Sequence, residues 1–351
     1  MINKRPKLGF FYVILFLLML LFVEVSSLLL YQLMTPSSAS IEIFENVSYN
    51  NNVEVGYLPD KGFPRYSNLA VHKDTNKEPC IYVFGNSFSY ASEVSDSQAW
   101  AHKLGSLLKC PVANYGVPGY GTDQAYLLMK SVLNKNPKQK SKEKKIILFG
   151  IYQEMLRRNM AASWLFYCCQ DQKRSLKPLF VFSEDKKTLV LRKLRSEMTI
   201  DQVKKHHSDD RYHVDHELNF PYTLDVIKEF YSRLVSILPS SLAYRIPEVR
   251  KKQILLMELI VELAEANGYT VGFVYFPTPD QALKNYKSYQ SFLEKLPSKL
   301  YSSENVFSID LFSGLNKSSN VAGKAFKAEF GHYDAEGNKL IADIVLEELL
   351  N

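Results

Sequence analysis

A serine and a histidine lie far apart in this sequence, and their surroundings indicate that they could carry out nucleophilic chemistry together. Ser87 follows a short apolar run at residues 81–84 and a glycine, and a stretch with helical spacing follows at residues 98–108. A buried strand that ends in such a turn presents one hydroxyl at the carboxyl end of a sheet, where open α/β sheets bind their ligands. An isolated turn of this kind is more often an ordinary connection, so Ser87 indicates a nucleophile only if the chain supplies partners.

The first partner would be a base, and a neutral imidazole is the usual base for a serine. Of the seven histidines, His332 has the most suitable position, in a glycine-flanked loop directly before the last predicted helix. Glu329, three residues earlier, could accept a hydrogen bond from the imidazole and hold its tautomer, as the third member of a catalytic triad does. An isolated Glu-x-x-His has little weight, but together with the Ser87 turn it predicts a site made of Ser87, His332 and Glu329.

Acyl transfer by a serine also needs hydrogen-bond donors for the oxyanion. Gly116 follows the second predicted strand, and its N–H has no side chain to block approach. Gln153 follows the third predicted strand and offers a carboxamide, with Asn159 slightly downstream as an alternative donor. Arg157 and Arg158 could bind an anionic group of a substrate, although exposed arginines at a strand exit are commonplace.

Alternating strands and helices must hold these residues at one edge of a sheet. Strands are predicted at residues 81–84, 112–115, 145–150, 270–276 and 306–310, and helices at 98–108, 124–134, 247–267, 280–296 and 335–350. Short apolar runs that alternate with helices of this length favour a parallel sheet with helices on both faces. We therefore predict a three-layer α/β/α domain around a mostly parallel five-stranded sheet. The pattern breaks at about residues 160–245, which we interpret as an insertion that shapes a substrate surface.

Four blocks of this chain resemble those of the SGNH (GDSL-type) hydrolase superfamily. Gly85-Asn-Ser-Phe-Ser89 resembles the first block, with asparagine in place of the usual aspartate, and Asn114-Tyr-Gly-Val-Pro-Gly-Tyr-Gly-Thr-Asp-Gln124 is close to the second, whose glycine donates to the oxyanion. Residues 149–154 fall where the family has Gly-x-Asn-Asp, and residues 329–338 are similar to the last block, Asp-x-x-His followed by a helix. The resemblance covers about residues 79–158 and 250–351.

The resemblance implies a flavodoxin-like fold and a function. Ser87 would be the nucleophile, His332 the base, and the N–H groups of Ser87 and Gly116 would form an oxyanion hole with Gln153 as a third donor. The implied activity is that of a serine esterase or O-acyltransferase without a cofactor, acting on acyl esters, in first place acetyl esters, of a cell-surface glycan or lipid. The substrate class rests on analogy.

Two other functions stay open. One is a catalytically inactive SGNH-like binding or assembly protein, because the third block is substituted and Glu329 replaces an aspartate. The other is a lipase-like enzyme that uses the aromatic residues of the insertion against membrane lipid, although such aromatics are more often part of a core.

An apolar N-terminal segment predicts a membrane anchor. Residues 8–34 are apolar except for Glu24, and a membrane-spanning helix needs about 20 such residues. Basic residues precede the segment, so the positive-inside rule leaves the N-terminus (residues 1–7) in the cytoplasm and the domain outside. We favour an uncleaved signal anchor over a cleaved signal peptide, because no clear cleavage site interrupts the apolar run. A carboxylate at the depth of Glu24 is costly, so it either faces a membrane-protein partner or is tolerated near the interface.

The remaining sequence excludes some classes of function. Residues 35–78 are polar and turn-rich and read as a linker and apron before the domain at 79–351. The formal net charge of +6 is mild and the basic residues are scattered, which argues against nucleic-acid binding.

Cys80 and Cys110 each precede a predicted strand and could form a disulfide in an exported chain, although sequence cannot prove the pairing. No cysteine or histidine spacing indicates a metal site; the histidine-containing residues 204–216 are typical of an exposed loop.

Overall fold

A computed structural model describes residues 6–34, 52–56, 58, 65–66, 78–135, 145–161, 177–194, 220–224, 226–227, 243–278, 281, 293, 296, 298–317 and 331–350. Glu329, nearly all of the predicted helix at 280–296 and much of the insertion at about 160–245 lie outside these residues. The chain forms two compact units. The first contains residues 1–48, 169–174 and 197–238, and the second contains all other residues.

A six-stranded sheet is the centre of the second unit. Its strands, in chain order, are β1 Arg65–Tyr66, β2 Ile81–Gly85, β3 Val112–Gly116, β4 Lys145–Ile151, β7 Tyr269–Tyr275 and β8 Val306–Asp310, while β5 Leu179–Phe182 and β6 Leu189–Arg192 form a separate antiparallel hairpin. The order across the sheet is β1-β3-β2-β4-β7-β8. All neighbouring pairs are parallel except β1 with β3.

This topology confirms the predicted fold class. Without β1, the five parallel strands lie in the order second, first, third, fourth and fifth along the chain, which is the flavodoxin-like arrangement. All five residues of β2 are buried, and so are the last five of β4, because a parallel sheet in this class is covered on both faces. The antiparallel edge strand β1 lies within the residues that the sequence assigned to a linker and apron.

Four helices predicted for the domain, at 98–108, 124–134, 247–267 and 335–350, are present to within about two residues. The predicted helix at 280–296 lies mostly outside the described residues. The described helices are α1 Pro6–Met34, α2 Ser87–Tyr90, α3 Trp100–Leu108, α4 Thr122–Lys135, α5 Glu154–Arg158, α6 Pro247–Ala266, α7 Leu311–Lys317 and α8 Ala335–Leu350, with single 3-10 turns at Asp96–Gln98 and Ser298–Tyr301. In the second unit α3 packs against α8, and α4 packs against α6. The two helix pairs and the buried sheet make up the three layers.

A disulfide joins Cys80, just before β2, to Cys110, two residues before β3. The two Cα atoms are 6.2 Å apart, and Ile81 pairs with Val112 in the parallel register of the two strands. The pairing follows from this register, because it brings the residues before both strands to the same edge of the sheet.

The first unit contains the predicted membrane-spanning helix. Within the described ranges, α1 is the one helix long and apolar enough to cross a membrane, with a mean hydropathy of 2.8 over Gly9–Leu30. Glu24 accepts hydrogen bonds from the Thr223 hydroxyl at 2.7 Å and the Thr223 N–H at 3.3 Å. The carboxylate thus has a partner in its own chain, whereas a second membrane protein at this position stays a prediction.

Candidate active site

Ser87 is the first residue of α2, in a tight turn directly after β2. Asn86 caps this helix, because its Oδ1 accepts a hydrogen bond from the Phe88 N–H at 2.8 Å. Its Nδ2 donates to the Gly150 carbonyl at 3.3 Å and to the Met155 sulfur at 2.9 Å. An ionised aspartate could cap the helix but could not donate. The asparagine therefore ties the turn that carries Ser87 to the end of β4.

Two glycines allow α2 to pack this closely on the sheet. The Ser89 hydroxyl is fully buried, and a Cβ added to either Gly85 or Gly150 would overlap the Ser89 side chain. Gly85 also has a φ of 143°, a conformation that side chains disfavour. These glycines make room for α2 at the ends of β2 and β4.

Gly116 has a packing role in the same region. Its N–H donates to Asn114 Oδ1 at 2.9 Å, and Asn114 Nδ2 donates to the Ser89 carbonyl at 2.8 Å. A Cβ at Gly116 would overlap the backbone of Ser89 and Tyr90. Asn114 thus occupies the N–H that the sequence assigned to the oxyanion hole, and the glycine is required because α2 crosses β3 at this point.

Gln153 is the predicted amide donor, and its side chain lies in the interior at the end of β4. It follows β4 and is 2% exposed, and within the described residues its Nε2 has no hydrogen-bond partner. Its Oε1 accepts a hydrogen bond from Gln281 Nε2. Gln281 Oε1 in turn accepts from the Thr278 N–H at 2.8 Å. A backbone N–H can only donate, so this chain of bonds sets both amides in one orientation and leaves Gln153 Nε2 available.

The carboxamide of Asn159, the alternative oxyanion donor, is hydrogen-bonded to other residues. Its Nδ2 donates to Gln253 Oε1 at 2.7 Å, and its Oδ1 accepts from the Asp123 N–H at 3.2 Å. Lys252 Nζ donates to its backbone carbonyl at 2.8 Å. Asn159 is fully buried and belongs to a polar network between α4, α5 and α6.

The two arginines that the sequence proposed for substrate binding pack within the domain. Arg157 is 9% exposed and lies 3.8 Å from Glu154. Arg158 donates to the Tyr120 carbonyl at 3.3 Å, and its guanidinium lies 5.2 Å from the centre of the Tyr152 ring. Burial raises the pKa of Tyr152 to about 12, and the nearby Arg158 charge opposes this shift. Both arginines are thus less exposed than the sequence indicated, while binding of an anionic substrate group by them stays a prediction.

His332 contacts a carboxylate from the turn that follows α2. Its Nδ1 lies 2.8 Å from Glu93 Oε1, and the two side chains expose 21% and 16% of their surface. An ionised carboxylate can only accept a hydrogen bond. With Nδ1 as the donor, neutral His332 keeps the lone pair on Nε2, which is the tautomer that a general base needs.

His332 packs against a residue of α2. The Phe88 ring, on the residue after Ser87, has its centroid 4.9 Å from that of the His332 imidazole. Trp100 Nε1 donates to the Phe88 carbonyl at 3.1 Å, and the Trp100 N–H donates to Asn338 Oδ1 at 3.1 Å. Because Asn338 lies on α8, the start of the helix after His332 and the helix of Ser87 are held by the same tryptophan.

The sequence patterns do not single out Glu93. The backbone there is unusual, because Ala91 and Glu93 have φ angles of 60° and 71°, which are uncommon for residues other than glycine. These two left-handed residues turn the chain sharply after α2 and carry the carboxylate to the His332 loop. No helical or strand period marks such a turn, so the only signal in the sequence is an acid six positions after Ser87. Glu329 lies outside the described residues.

Similarity to solved structures is distant. A member of the lipolytic protein G-D-S-L family from Veillonella parvula DSM 2008 is 14% identical over 77% of this chain and 98% of its own, with a TM-score of 0.40. A putative lipolytic protein of the G-D-S-L family from Desulfitobacterium hafniense DCB-2 is 13% identical over 76% of this chain and 97% of its own, with a TM-score of 0.40. The lipase/acylhydrolase from Enterococcus faecalis is 14% identical over 77% and 94%, with a TM-score of 0.36.

No model of a known protein family matches the sequence, and neither does any curated protein. At TM-scores below 0.5 the solved structures do not define the site. The fold assignment therefore rests on the strand order of this chain, and the site assignment rests on its own contacts.

Proposed function

We propose that this chain is a membrane-anchored serine esterase or O-acyltransferase of SGNH type. Its expected substrates are acyl esters, in first place acetyl esters, of a cell-surface glycan or lipid. Ser87 is the nucleophile, His332 the general base and Glu93 the carboxylate that orients the base. The observation that carries the proposal is the 2.8 Å hydrogen bond between His332 Nδ1 and Glu93 Oε1, beside the ring of the residue that follows Ser87.

The chemistry follows from the tautomer of His332. Its Nε2 takes the Ser87 proton as the serine oxygen attacks the acyl carbon, and the resulting imidazolium is stabilised by Glu93. Collapse of the tetrahedral intermediate breaks the ester bond, and the same proton passes to the departing alcohol oxygen. Water or a sugar hydroxyl then attacks the acyl-serine and gives its proton to His332. As the bond between the acyl carbon and the Ser87 oxygen breaks, His332 returns this proton to the Ser87 oxygen, which regenerates the hydroxyl.

In this proposal two N–H groups form the oxyanion hole. The Ser87 N–H is the first of α2, and the first N–H groups of a helix have no partner within it. Gln153 Nε2 is the second, because it is buried and without a partner among the described residues. A buried donor of this kind is costly unless it binds a ligand or reaction intermediate. Gly116 is not part of this proposal, since its N–H is bonded to Asn114.

The anchor and its orientation are part of the same proposal. α1 has the length and hydropathy of a membrane span, and Lys4, Arg5 and Lys7 precede or begin it. We infer that the N-terminus is cytoplasmic and the second unit extracytoplasmic. Protease added to intact cells should then digest the second unit and leave an N-terminal epitope tag protected. Digestion of the tag from outside would show the opposite orientation.

Labelling of the nucleophile tests the catalytic proposal. The full-length chain, purified in detergent, should react with a fluorophosphonate and hydrolyse a simple acetyl ester, and Ser87→Ala should abolish both. Ser89→Ala is the matched control, because Ser89 is on the same short helix and its hydroxyl has no partner within the described residues. Ser89→Ala should keep both activities. Full activity in Ser87→Ala would exclude Ser87 as the nucleophile.

A catalytically inactive binding or assembly protein is the second candidate. The bond from the Gly116 N–H to Asn114 favours it, because it removes one expected oxyanion donor. Absence of fluorophosphonate labelling in the folded wild-type chain would support this function against the enzyme. Glycan acceptors in the same assay would separate transfer from hydrolysis.

A further inference from the structure

Among the described side chains of α1, the one buried residue is polar, and the exposed surface is largely apolar. Ser27 is 8% exposed, whereas Phe22 and Leu29 on other sides of the helix are 73% and 56% exposed. A helix on a water-soluble domain shows the opposite distribution. Apolar side chains outside and polar side chains covered by protein are the pattern of a helix that is surrounded by lipid.

A segment from the insertion, residues 220–227, covers the polar side of α1. Thr223 donates to Glu24 through its hydroxyl and its N–H, and its hydroxyl also lies 3.1 Å from Ser27 Oγ. Glu24 and Ser27 are three residues apart and therefore share one face of the helix. Thr223 thus satisfies the carboxylate with two donors, which explains how α1 tolerates an acidic residue within its apolar span.

The segment has its own exposed apolar face. Residues 222–224 and 226–227 are helical. Phe220, Leu224 and Ile227 are 75%, 54% and 58% exposed. Their spacing of three residues places Leu224 and Ile227 on one side of the helix, and Phe220 lies just before it. Thr223 is half-buried and Val226 is 9% exposed. The side toward the protein is therefore the covered one, and the side away from it carries large apolar groups.

The contacts with α1 set the depth of this segment. The apolar span ends at Leu30. At about 1.5 Å per residue, Ser27 lies about 4.5 Å and Glu24 about 9 Å inside that end. Amphipathic helices that lie in a membrane surface bury their apolar face about 5–10 Å into the boundary between headgroups and acyl chains. Thr223 is held at this depth.

We propose that residues 220–227 form an interfacial membrane element beside α1, with Phe220, Leu224 and Ile227 inserted among lipid acyl chains. The element rests on the proposed anchorage by α1 and goes beyond it, because the insertion then provides a second contact with the bilayer. The ligand is lipid hydrocarbon, since the exposed residues that the structure describes in this segment are all apolar and the segment is attached to α1 within its apolar span.

Depth-dependent fluorescence quenching tests the element in the full-length chain. Single variants Leu224→Trp, Leu107→Trp and Phe16→Trp are reconstituted into phosphatidylcholine vesicles with or without bromine on the acyl chains, and the wild-type emission is subtracted. Leu107, on α3 of the second unit, is 48% exposed and matches Leu224 in type and exposure. Phe16 lies in the middle part of α1 and is 61% exposed.

We expect the tryptophan at 224 to lose most of its emission to brominated lipid and little to aqueous iodide, and the tryptophan at 107 to show the reverse. Quenching at 224 by iodide alone would place the segment in water and overturn the proposal. Protection at 224 from both quenchers would show that protein, such as a second copy of the chain, covers the face, and would overturn it equally. Quenching at 16 by brominated lipid tests the anchor separately, so that failure of α1 to insert is distinguished from failure of the segment.

Discussion

In the proposed mechanism, the carboxylate of Glu93 sets the tautomer of His332. Glu93 forms the hydrogen bond to Nδ1, and we expect Glu93→Gln to lower kcat by about 10²–10⁴ with little change in KM. A glutamine amide can donate to Nδ1, which favours the tautomer with its proton on Nε2 and leaves no lone pair for the Ser87 proton. Steady-state kinetics with an acetyl ester measures the effect.

Glu329→Gln is the parallel variant, because the sequence places an acid at that position and the family resemblance gives it the orienting role. We expect a smaller loss of kcat than in Glu93→Gln. If Glu329→Gln were the more damaging change, Glu329 would be the orienting acid and the contact of Glu93 would serve only to hold the turn.

The orientation of Gln153 leads to a prediction for a residue outside the reacting groups. Gln153→Leu should lower kcat by about 10²–10³, as loss of one oxyanion donor does. Gln281→Glu should lower kcat by a similar factor, because a carboxylate still accepts from Thr278 but cannot donate to Gln153. Gln153 would then turn its Nε2 toward residue 281 and its oxygen toward the site. Gln281→Met, which removes the polar contact without reversing it, should be milder; equal effects of both variants would contradict this role.

The sequence predicts those residues of the site that lie next to a recognisable strand or helix. Ser87 and Gln153 follow strands whose apolar residues are contiguous, and His332 directly precedes a well-patterned helix. Glu93 and Gln281 have no such mark, because their roles depend on backbone turns and on partners 239 and 128 residues away. Asn159 and Arg157 are polar residues at a strand exit, and their burial in the protein depends on helices that sequence spacing does not align.

At the scale of elements, the crossing of α2 over β3 positions the nucleophile. Gly116→Ala keeps the backbone N–H but places a methyl group against the backbone of Ser89 and Tyr90. We expect the free energy of unfolding to fall by about 1–3 kcal/mol, which is typical of overpacking, and ester hydrolysis to fall with it because α2 must move. Denaturant unfolding and kinetics on the same samples check both. Unchanged stability with a lower kcat would instead favour a direct role of Gly116 at the oxyanion.

The elements themselves were predictable because parallel strands buried on both faces appear as short, continuous apolar runs. The predicted strand at residues 306–310 coincides with β8, and the predicted helix at 335–350 coincides with α8. The sequence does not predict the two-residue strand β1. It pairs with Asn114 and Ala113 at the edge of the sheet, and two residues are too few to show a periodic pattern.

At the scale of the whole molecule, the insertion belongs to both units. Lys177, just before β5, pairs with Asp123 on α4, and both side chains are buried, which ties the hairpin to the second unit. Residues 220–227 belong to the first unit and are bonded to α1 through Thr223. One stretch of sequence that resembles a single surface insertion thus divides between the sheet and the N-terminal helix, which local patterns cannot show.

This division predicts how the chain behaves without its N-terminal helix. A variant that begins at residue 35 retains the entire second unit, so fluorophosphonate should still label Ser87. It loses the cover over Thr223, while Phe220, Leu224 and Ile227 stay exposed, so we expect it to sediment with lipid vesicles. Burial of apolar side chains in the bilayer provides the driving force.

Replacing those three apolar residues together with serine should return the shortened chain to the supernatant. Leu107→Ser combined with Val190→Ser is the matched control, because both residues are exposed on the second unit, at 48% and 52%, and it should leave sedimentation unchanged. A shortened chain that never sediments with vesicles, yet is still labelled at Ser87, would contradict a membrane contact by residues 220–227. Labelling at Ser87 shows that the second unit is folded, so only labelled samples are compared for their partition between water and lipid.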